Sequence, residues 1–171
     1  MFEVTIYVET SFHGPSQRTA AGMYLIEYIK KDGTPETRQG MVCGIKMTEN
    51  RLVLEALSMA FDKLKECCSV RVFTRCEHVL NAIGNFWLQE WEKNDWVTAK
   101  KKIVKNVTFW KKIAEAKRKH LVSFENGWNQ YGGIMQDAMK KGLEYWKNSG
   151  EIKAIYKVDL ENMIFEEVKG E

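Results

Sequence analysis

The segment from Trp87 to Trp110 combines large aromatic rings with a run of positive charges, a composition suited to binding a polyanion. Its tryptophans are Trp87, Trp91, Trp96 and Trp110, and its central lysines are Lys100, Lys101, Lys102 and Lys105. Flat rings can lie against sugars or bases while ammonium groups meet phosphates. The alternative is that the rings belong to the core and the lysines to a solvated helix face. For this stretch, called the Trp/Lys segment below, the pattern leaves both interpretations equally open.

The bulk composition describes an ordinary globular chain that is not uniformly basic. At 171 residues, with 44% hydrophobic and 29% charged residues, the chain is long enough for one domain with a substantial core. Only two prolines and no low-complexity stretch argue against long linkers. Because the net charge is only +3, any attraction to nucleic acid must come from local clusters of charge.

Neither a membrane segment nor a metal-binding cysteine pattern is predicted. No stretch is long and apolar enough for a membrane-spanning helix, and the chain opens with the strand-like Phe2–Val8 in place of a basic, apolar leader. We therefore expect a cytoplasmic protein. Cys43, Cys67, Cys68 and Cys76 lack zinc-ligand spacing, and the adjacent pair is poorly placed for a disulfide. All four are expected to be reduced, buried or half-buried thiols.

The elements that must position these residues begin with three antiparallel strands and a helix. The predicted strands are Phe2–Val8, Ala21–Lys30 and a strand near Thr37–Ile45, with a hairpin turn at Lys31–Pro35. Thr48-Glu49-Asn50 is a candidate cap for a helix that runs to about Glu66. Helical spacing predicts that its buried stripe is Val53, Leu57, Ala60 and Leu64, and that its other side is Glu55, Ser58, Asp62 and Lys65.

The rest of the chain is predicted to alternate between helices and strands. The predicted elements are a strand at Ser69–Thr74, helices at Cys76–Ile83 and Lys105–Lys119, a strand at Leu121–Phe124, a helix at Ile134–Lys147, and strands at Ile152–Val158 and Met163–Val168. A strand that directly follows a helix indicates a parallel crossover, so the fold class is α/β. Residues 1–149 are expected to form one domain, with residues 150–171 as a β-hairpin-like extension of it.

This element order, together with three motifs, resembles the bacterial type I ribonuclease H family. The Trp/Lys segment resembles the family's basic protrusion, a helix and loop that grip the DNA strand of an RNA/DNA hybrid. Glu49–Leu52, read as Glu-Asn-Arg-Leu, resembles the family's Asn-Asn-Arg-Met at a helix start. Ile6–Ser11 resembles the first strand's Tyr-Thr-Asp-Gly-Ser. The resemblance implies a ribonuclease H-like five-stranded mixed sheet flanked by helices, with a basic protrusion; residues 150–171 have no counterpart.

The resemblance also implies a site for two magnesium ions, held by four carboxylates, that carry out phosphoryl transfer. The matching positions here are Glu9, Val53, Arg75 and Asp137. Val53 cannot bind metal, and the permanent cation Arg75 repels it. The set carries a charge of about −1 where four carboxylates carry about −4, so we expect no magnesium to bind and no other cofactor. A guanidinium in this position needs carboxylate partners, so Arg75 is expected to pair with Glu9, Asp137 or both.

The resulting prediction is a catalytically impaired ribonuclease H-like protein that still binds RNA/DNA hybrid or duplex RNA through the Trp/Lys segment. The tryptophans are expected to hold the protrusion together and the lysines to meet phosphates. The predicted nucleic-acid-binding residues are Asn50, Arg51, Lys93, Trp96, Lys100, Lys101, Lys102 and Lys105. One alternative is an interaction module that has lost hybrid binding, with residues 150–171 as a protein interface or a cover over the cleft. A second is residual nuclease activity using Glu9, Asp137 and an unrecognised carboxylate.

Overall fold

The computed structural model describes residues 1–169 and contains one seven-stranded mixed sheet with helices on both faces. The strands are β1 (Phe2–Thr10), β2 (Arg18–Ile29), β3 (Pro35–Met47), β4 (Cys68–Phe73), β5 (Leu121–Glu125), β6 (Lys153–Asp159) and β7 (Ile164–Glu167). The helices are α1 (Glu49–Asp62), α2 (Glu77–Gly84), α3 (Trp87–Lys93), α4 (Val107–Lys119) and α5 (Gly132–Lys147). The strand order is β5-β4-β1-β2-β3-β6-β7. The α/β class and the mixed sheet are thus confirmed.

The hairpin turn predicted between β2 and β3 is present, and its turn residues have the expected conformation. Gly33 has φ +86°, a conformation that only glycine adopts freely. The Asp32 side chain accepts a hydrogen bond from the backbone N–H of Thr34 at 2.9 Å, and Lys30 N donates to Thr34 O at 2.9 Å. These contacts fix the register of the longest antiparallel pair in the sheet, and they confirm the predicted turn.

Helix α1 begins where its cap predicts, but it is buried on more sides than its periodicity indicates. The Thr48 side chain accepts from the backbone N–H of Arg51 at 3.2 Å, as expected of an N-cap. The helix ends at Asp62, earlier than expected. The prediction that Glu55 and Ser58 lie on its open side is wrong, because both are only 4% exposed. The helix is enclosed by the sheet, by α4 and, over Glu55, by β6.

The C-terminal residues extend the same sheet beyond β3. Strand β6 pairs antiparallel with Gly40–Gly44 of β3, and β7 pairs with β6. Lys153 at the start of β6 forms an ion pair with the buried Glu55 of α1. The extension is therefore bonded both to the sheet and to a core helix. Residues 170 and 171 of the predicted extension lie outside the described residues.

Apolar cores lie on both faces of the sheet. One core packs Val8 and Val70 against α1 and α4, and the other packs Tyr7 and Met41 against α5. None of the described helices is long and apolar enough to cross a membrane.

All four cysteines are free thiols. Cys43, Cys68 and Cys76 are buried, but Cys67 is exposed, so its predicted burial is wrong. Burial raises the pKa of Cys43 to about 12 and that of Cys76 to about 11, which makes both poor nucleophiles at neutral pH.

Candidate functional site

The pairing of β1 with β4 brings Glu9 and Arg75 together at one end of the sheet. The two strands are parallel, with Tyr7 opposite Phe73, so the residues two positions further along each chain lie side by side. The Arg75 Nη2 group donates to Glu9 Oε1 at 2.9 Å. Glu9 is 7% exposed, whereas the Arg75 side chain is 54% exposed. The expected ion pair between Arg75 and Glu9 is therefore present.

Helix α1 contributes an aliphatic side chain to the same place. Val53 is 2% exposed and belongs to the core formed by α1, α4 and the sheet. It lines one small pocket together with Glu9, Thr74 and Arg75. The structure thus brings three of the four predicted positions together, and the position on α1 carries no polar group.

Helix α5 presents an amide to Glu9. The Gln136 Nε2 group donates to Thr10 O at 3.0 Å and lies 3.4 Å from Glu9 Oε1. Adjacent residues of a helix point about 100° apart, so Asp137 points in a different direction from Gln136, and its side chain is exposed. The assignment of Asp137 to this site is therefore shifted by one residue, and Arg75 does not pair with it.

The loop before α5 supplies a further amide donor that the sequence analysis missed. Asn129 Nδ2 donates to Glu9 Oε2 at 3.1 Å, and Asn129 Oδ1 accepts from Tyr131 N at 2.8 Å, which is a local turn that fixes the loop. Gly127 allows the loop to approach Phe73, since an added Cβ would meet its ring at 2.7 Å. Between these fixed points Trp128 is 83% exposed.

The donor set around Glu9 does not match the oxygen-rich ligand set that magnesium requires. It consists of the Glu9 carboxylate, the Arg75 guanidinium and the amides of Asn129 and Gln136, beside the aliphatic Val53. Within residues 1–169, no group of three or more His, Cys, Asp and Glu side chains is arranged to hold a metal ion. Since Asp137 lies elsewhere, Glu9 and Arg75 bring the charge of the predicted positions to about zero, which is less negative than the sequence predicts; Glu49, hydrogen-bonded to His13, lines the same small pocket.

A groove of about 940 Å³ opens directly beside this site. One wall is the start of α1 with the segment His13–Pro15, and the other is the Trp/Lys segment. Arg75 lines both the small pocket and the groove, so the ion pair of Arg75 with Glu9 lies where the two meet. The charged side chains lining the groove are Glu49, Arg75, Glu77, Lys100, Lys102 and Lys105; together with Glu9, the partner of Arg75, they give a net charge of about +1.

The lysines of the Trp/Lys segment lie on a short hairpin-like loop. Val97 forms an antiparallel bridge with Ile103, and Thr98 N donates to Lys102 O at 2.7 Å. This turn directs Lys100 and Lys102 into the groove, which Lys105 also lines. The other two predicted lysines, Lys93 and Lys101, are exposed but do not line the groove.

The tryptophans mainly pack against one another and against neighbouring helices. Trp91 of α3 meets Trp110 of α4 edge to face, with ring centroids 5.3 Å apart, and Trp110 is 1% exposed. Trp87 stands 6.4 Å from Trp91, and Trp96 is half-buried with Lys111 Nζ 5.9 Å from its ring centre. The interpretation that the rings belong to the core therefore holds for Trp110. Trp91 packs against Trp110 and also lines the groove.

Of the two predicted contacts at the start of α1, the structure places one in the groove. Asn50 lines it and accepts from Cys76 Sγ at 3.2 Å. Arg51 is turned away and donates to Glu55 Oε2 at 3.1 Å. Glu49, which lies 2.7 Å from His13 Nδ1, brings negative charge to the groove wall.

Comparison with known proteins defines the class to which this fold and site belong. The family model of RNase H matches residues 2–126. A ribonuclease H of Clostridium botulinum is 35% identical over 124 residues, which are 72% of this chain and 81% of that protein. A ribonuclease H of Caldicellulosiruptor saccharolyticus is 40% identical over 78 residues, 46% of this chain and 54% of that protein. The chain belongs to the RNase H family.

Solved structures agree with this assignment at the level of the fold. LC9-RNase H1, a type 1 RNase H with the type 2 active-site motif, superposes with a TM-score of 0.68 at 17% identity, over 95% of this chain and 80% of that one. The foamy viral protease-reverse transcriptase in complex with RNA/DNA hybrid superposes with a TM-score of 0.63 at 18% identity, over 84% of this chain and 20% of that one.

Proposed function

We propose that this member of the RNase H family is catalytically impaired and binds RNA/DNA hybrid, or another duplex nucleic acid, in the groove beside Arg75. The observation that carries the proposal is the ion pair of Arg75 with Glu9, at 2.9 Å, in the place where the family resemblance implies metal ligands. Glu9 is the carboxylate at that place, and it is already paired with a cation. The groove next to it is positively charged.

The impairment follows from the competition between Arg75 and a divalent ion for Glu9. Two unit charges about 4 Å apart interact by about 4 kcal/mol at an effective dielectric of 20, and a divalent ion doubles that repulsion from a guanidinium. Magnesium dehydrates reluctantly and needs several oxygen ligands. One carboxylate, already hydrogen-bonded to Asn129 and Arg75, does not supply them. The site therefore offers no ligand set for a metal-dependent step.

Nucleic-acid binding is supported by the shape and charge of the groove. Lys100, Lys102 and Lys105 stand along one wall, with Asn50 on the other. Lysines on a groove wall bind phosphates electrostatically, independent of sequence. A fold neighbour, the foamy viral enzyme, has been solved with an RNA/DNA hybrid, which supports a hybrid as the first ligand to test. Cytoplasmic localisation stays a prediction.

The test of impairment is a cleavage assay with a labelled RNA/DNA hybrid in Mg²⁺ or Mn²⁺. The wild-type protein is expected to leave the hybrid intact. Cleavage that disappears in Glu9→Gln would establish the residual nuclease instead. The structure gives that alternative little support, because Asp137, one of its two named carboxylates, is directed away from Glu9.

The test of binding is an electrophoretic shift over a series of salt concentrations. Exchanging Lys100→Glu together with Lys102→Glu should abolish the shift at moderate salt, because two phosphate contacts are replaced by repulsive charges. The salt slope should also fall by about 0.9 for each lost phosphate contact. The matched control is Lys140→Glu with Lys141→Glu, the same change of charge at exposed positions of α5 outside the groove. No wild-type shift at low salt would favour the interaction module.

The C-terminal extension does not close the groove. No residue beyond Asn106 lines it in the part of the chain that the structure describes. The alternative that residues 150–171 cover the cleft is therefore wrong for residues 150–169. A protein partner at the extension stays a prediction.

A further inference from the structure

Arg75 occupies a position from which it can bind a phosphate without help from a metal. We propose that this guanidinium is a permanent, built-in phosphate site, so that duplex nucleic acid binds equally well with and without divalent cations. This inference rests on the proposed function, because it concerns how the groove holds one phosphate of a bound backbone.

The hydrogen bonding of Arg75 leaves most of its donors available. A guanidinium carries five N–H donors in a planar fork that suits phosphate oxygens. In residues 1–169 the Arg75 side chain makes one hydrogen bond, from Nη2 to Glu9 Oε1 at 2.9 Å. The side chain is 54% exposed and lines the groove, so the remaining donors can reach a ligand there.

The surrounding contacts fix the guanidinium in place before any ligand arrives. Glu9 is 7% exposed and is held on its other oxygen by Asn129 Nδ2 at 3.1 Å. Gln136 Nε2, which is anchored to Thr10 O at 3.0 Å, lies 3.4 Å from Glu9 Oε1. A carboxylate held in this way orients its arginine partner, which lowers the entropy lost when the arginine binds phosphate.

The charge of the site leads to the same conclusion. A lone buried carboxylate at the end of the groove repels phosphate until a cation neutralises it. Here Arg75 neutralises Glu9 within the protein, and Glu49, which lines the same pocket, is hydrogen-bonded to His13, so a phosphate that approaches Arg75 meets N–H donors and no charge from Glu9. Added Mg²⁺ therefore has no charge on Glu9 left to compensate.

The experiment measures hybrid affinity by fluorescence anisotropy in excess EDTA and in Mg²⁺, with KCl added to equalise ionic strength. A labelled RNA/DNA hybrid oligonucleotide is the probe. Wild-type protein should bind with the same Kd in both buffers, within about twofold. Arg75→Gln should raise the Kd about tenfold in both, which is the size expected for one charge-assisted phosphate contact.

The matched control is Arg38→Gln. It is the same exchange at an exposed arginine that pairs with Glu36 on β3 and does not line the groove. It should leave the Kd unchanged. Circular dichroism and melting curves establish that both variants are folded. Should Arg75→Gln fail to fold, the comparison of EDTA with Mg²⁺ on wild-type protein decides the question alone.

Two results would overturn the inference while leaving the proposed function intact. One is a wild-type affinity that requires Mg²⁺, and the other is an Arg75→Gln variant that binds in EDTA as tightly as wild type. Absence of hybrid binding in both buffers is a different outcome, because it removes the proposed function together with this inference.

Discussion

Rebuilding a metal site tests whether the four positions around Glu9 have the geometry of the family's carboxylates. The perturbation is a triple variant with Val53→Glu, Arg75→Asp and Gln136→Asp. Together with Glu9 it would place four carboxylates around one pocket, since Val53 and Arg75 line that pocket and Gln136 lies 3.4 Å from Glu9. The summed charge of these four side chains changes from about zero to about −4, which is what two divalent ions balance.

The expected magnitude follows from ligand-linked stability. Position 53 is 2% exposed, so the new carboxylates destabilise the fold in the absence of metal through burial and mutual repulsion. A metal that binds only the folded state restores about 2.7 kcal/mol at a concentration of about 100 times its Kd. For a chain of this size that corresponds to a rise in melting temperature of about 5–10 °C. For wild-type protein, where Arg75 is paired with Glu9, a rise below about 1 °C is expected.

The assay is a pair of melting curves, in EDTA and in Mg²⁺, followed by cleavage of a labelled RNA/DNA hybrid. The control variant carries Val53→Gln, Arg75→Asn and Gln136→Asn, which reproduces the shapes of the new side chains without their charge. Only the carboxylate variant should respond to Mg²⁺ in melting, and only it should gain metal-dependent cleavage.

A folded carboxylate variant that ignores Mg²⁺ in both measurements would refute the reasoning, because the four positions would then not converge as the structure indicates. If Mg²⁺ raised the melting temperature of wild-type protein as much as that of the carboxylate variant, another part of the reasoning would fail. Such a rise would show that Arg75 does not exclude the ion from Glu9.

Three other substitutions test separate parts of the molecule. Trp128→Ala should weaken hybrid binding severalfold, because the exposed ring lies in the loop that carries Asn129 beside Glu9 and can pack against a sugar of the duplex backbone. It should not change the melting temperature, because the ring is 83% exposed; Trp128→Phe is its control in the same titration. Lys153→Met should lower the free energy of unfolding in urea by about 1–2 kcal/mol, since the buried Glu55 side chain loses one cationic partner and keeps Arg51. Adding Glu55→Gln should restore most of the loss, and a double variant no more stable than Lys153→Met would contradict this. Burial lowers the pKa of His120 from its ordinary value of 6.5, so the unfolded chain binds more protons just below that pH. The contribution of His120 to stability is then full above pH 6.5 and is lost as the pH drops towards the folded pKa. His120→Gln should flatten this dependence of the unfolding free energy on pH, measured by urea titration at several pH values. The same dependence in the variant and in wild-type protein would argue against it.

Local signals in the sequence predict the fold well where the cause of the structure is itself local. The Asp32-Gly33 turn and the Thr48 cap each depend on a few adjacent residues, and both form as predicted. The burial of Glu55 and Ser58 depends on what packs over α1 from elsewhere in the chain. Periodicity cannot show that β6 returns to the edge of β3 and brings Lys153 over that face.

The candidate site divides in the same way. The pairing of Arg75 with Glu9 could be predicted because parallel strands end at the same edge and the two charges are complementary. Whether Gln136 or Asp137 faces the site depends on the rotation of α5, which begins two residues before its predicted start. The apolar stripe of Met135, Ala138, Met139 and Gly142 carries a signal for that rotation, because Asp137 lies about 200° around the helix from Met135. Asn129 and Gln136 were missed because an amide gives no charge signal, and only the geometry shows it donating to Glu9.

Glu9 explains why the surrounding substitutions depend on one another. Its carboxylate is 7% exposed, and an unpaired charge at that burial would cost several kcal/mol. Arg75, Asn129 and Gln136 together give it three donors, so the site is electrostatically complete without a metal. Changing Arg75→Asp alone would set two carboxylates against each other, and Val53→Glu alone would bury a third group that has no partner. Any return to metal binding therefore has to change several of these positions at once, whereas the groove lysines, which contact none of them, can be altered one at a time.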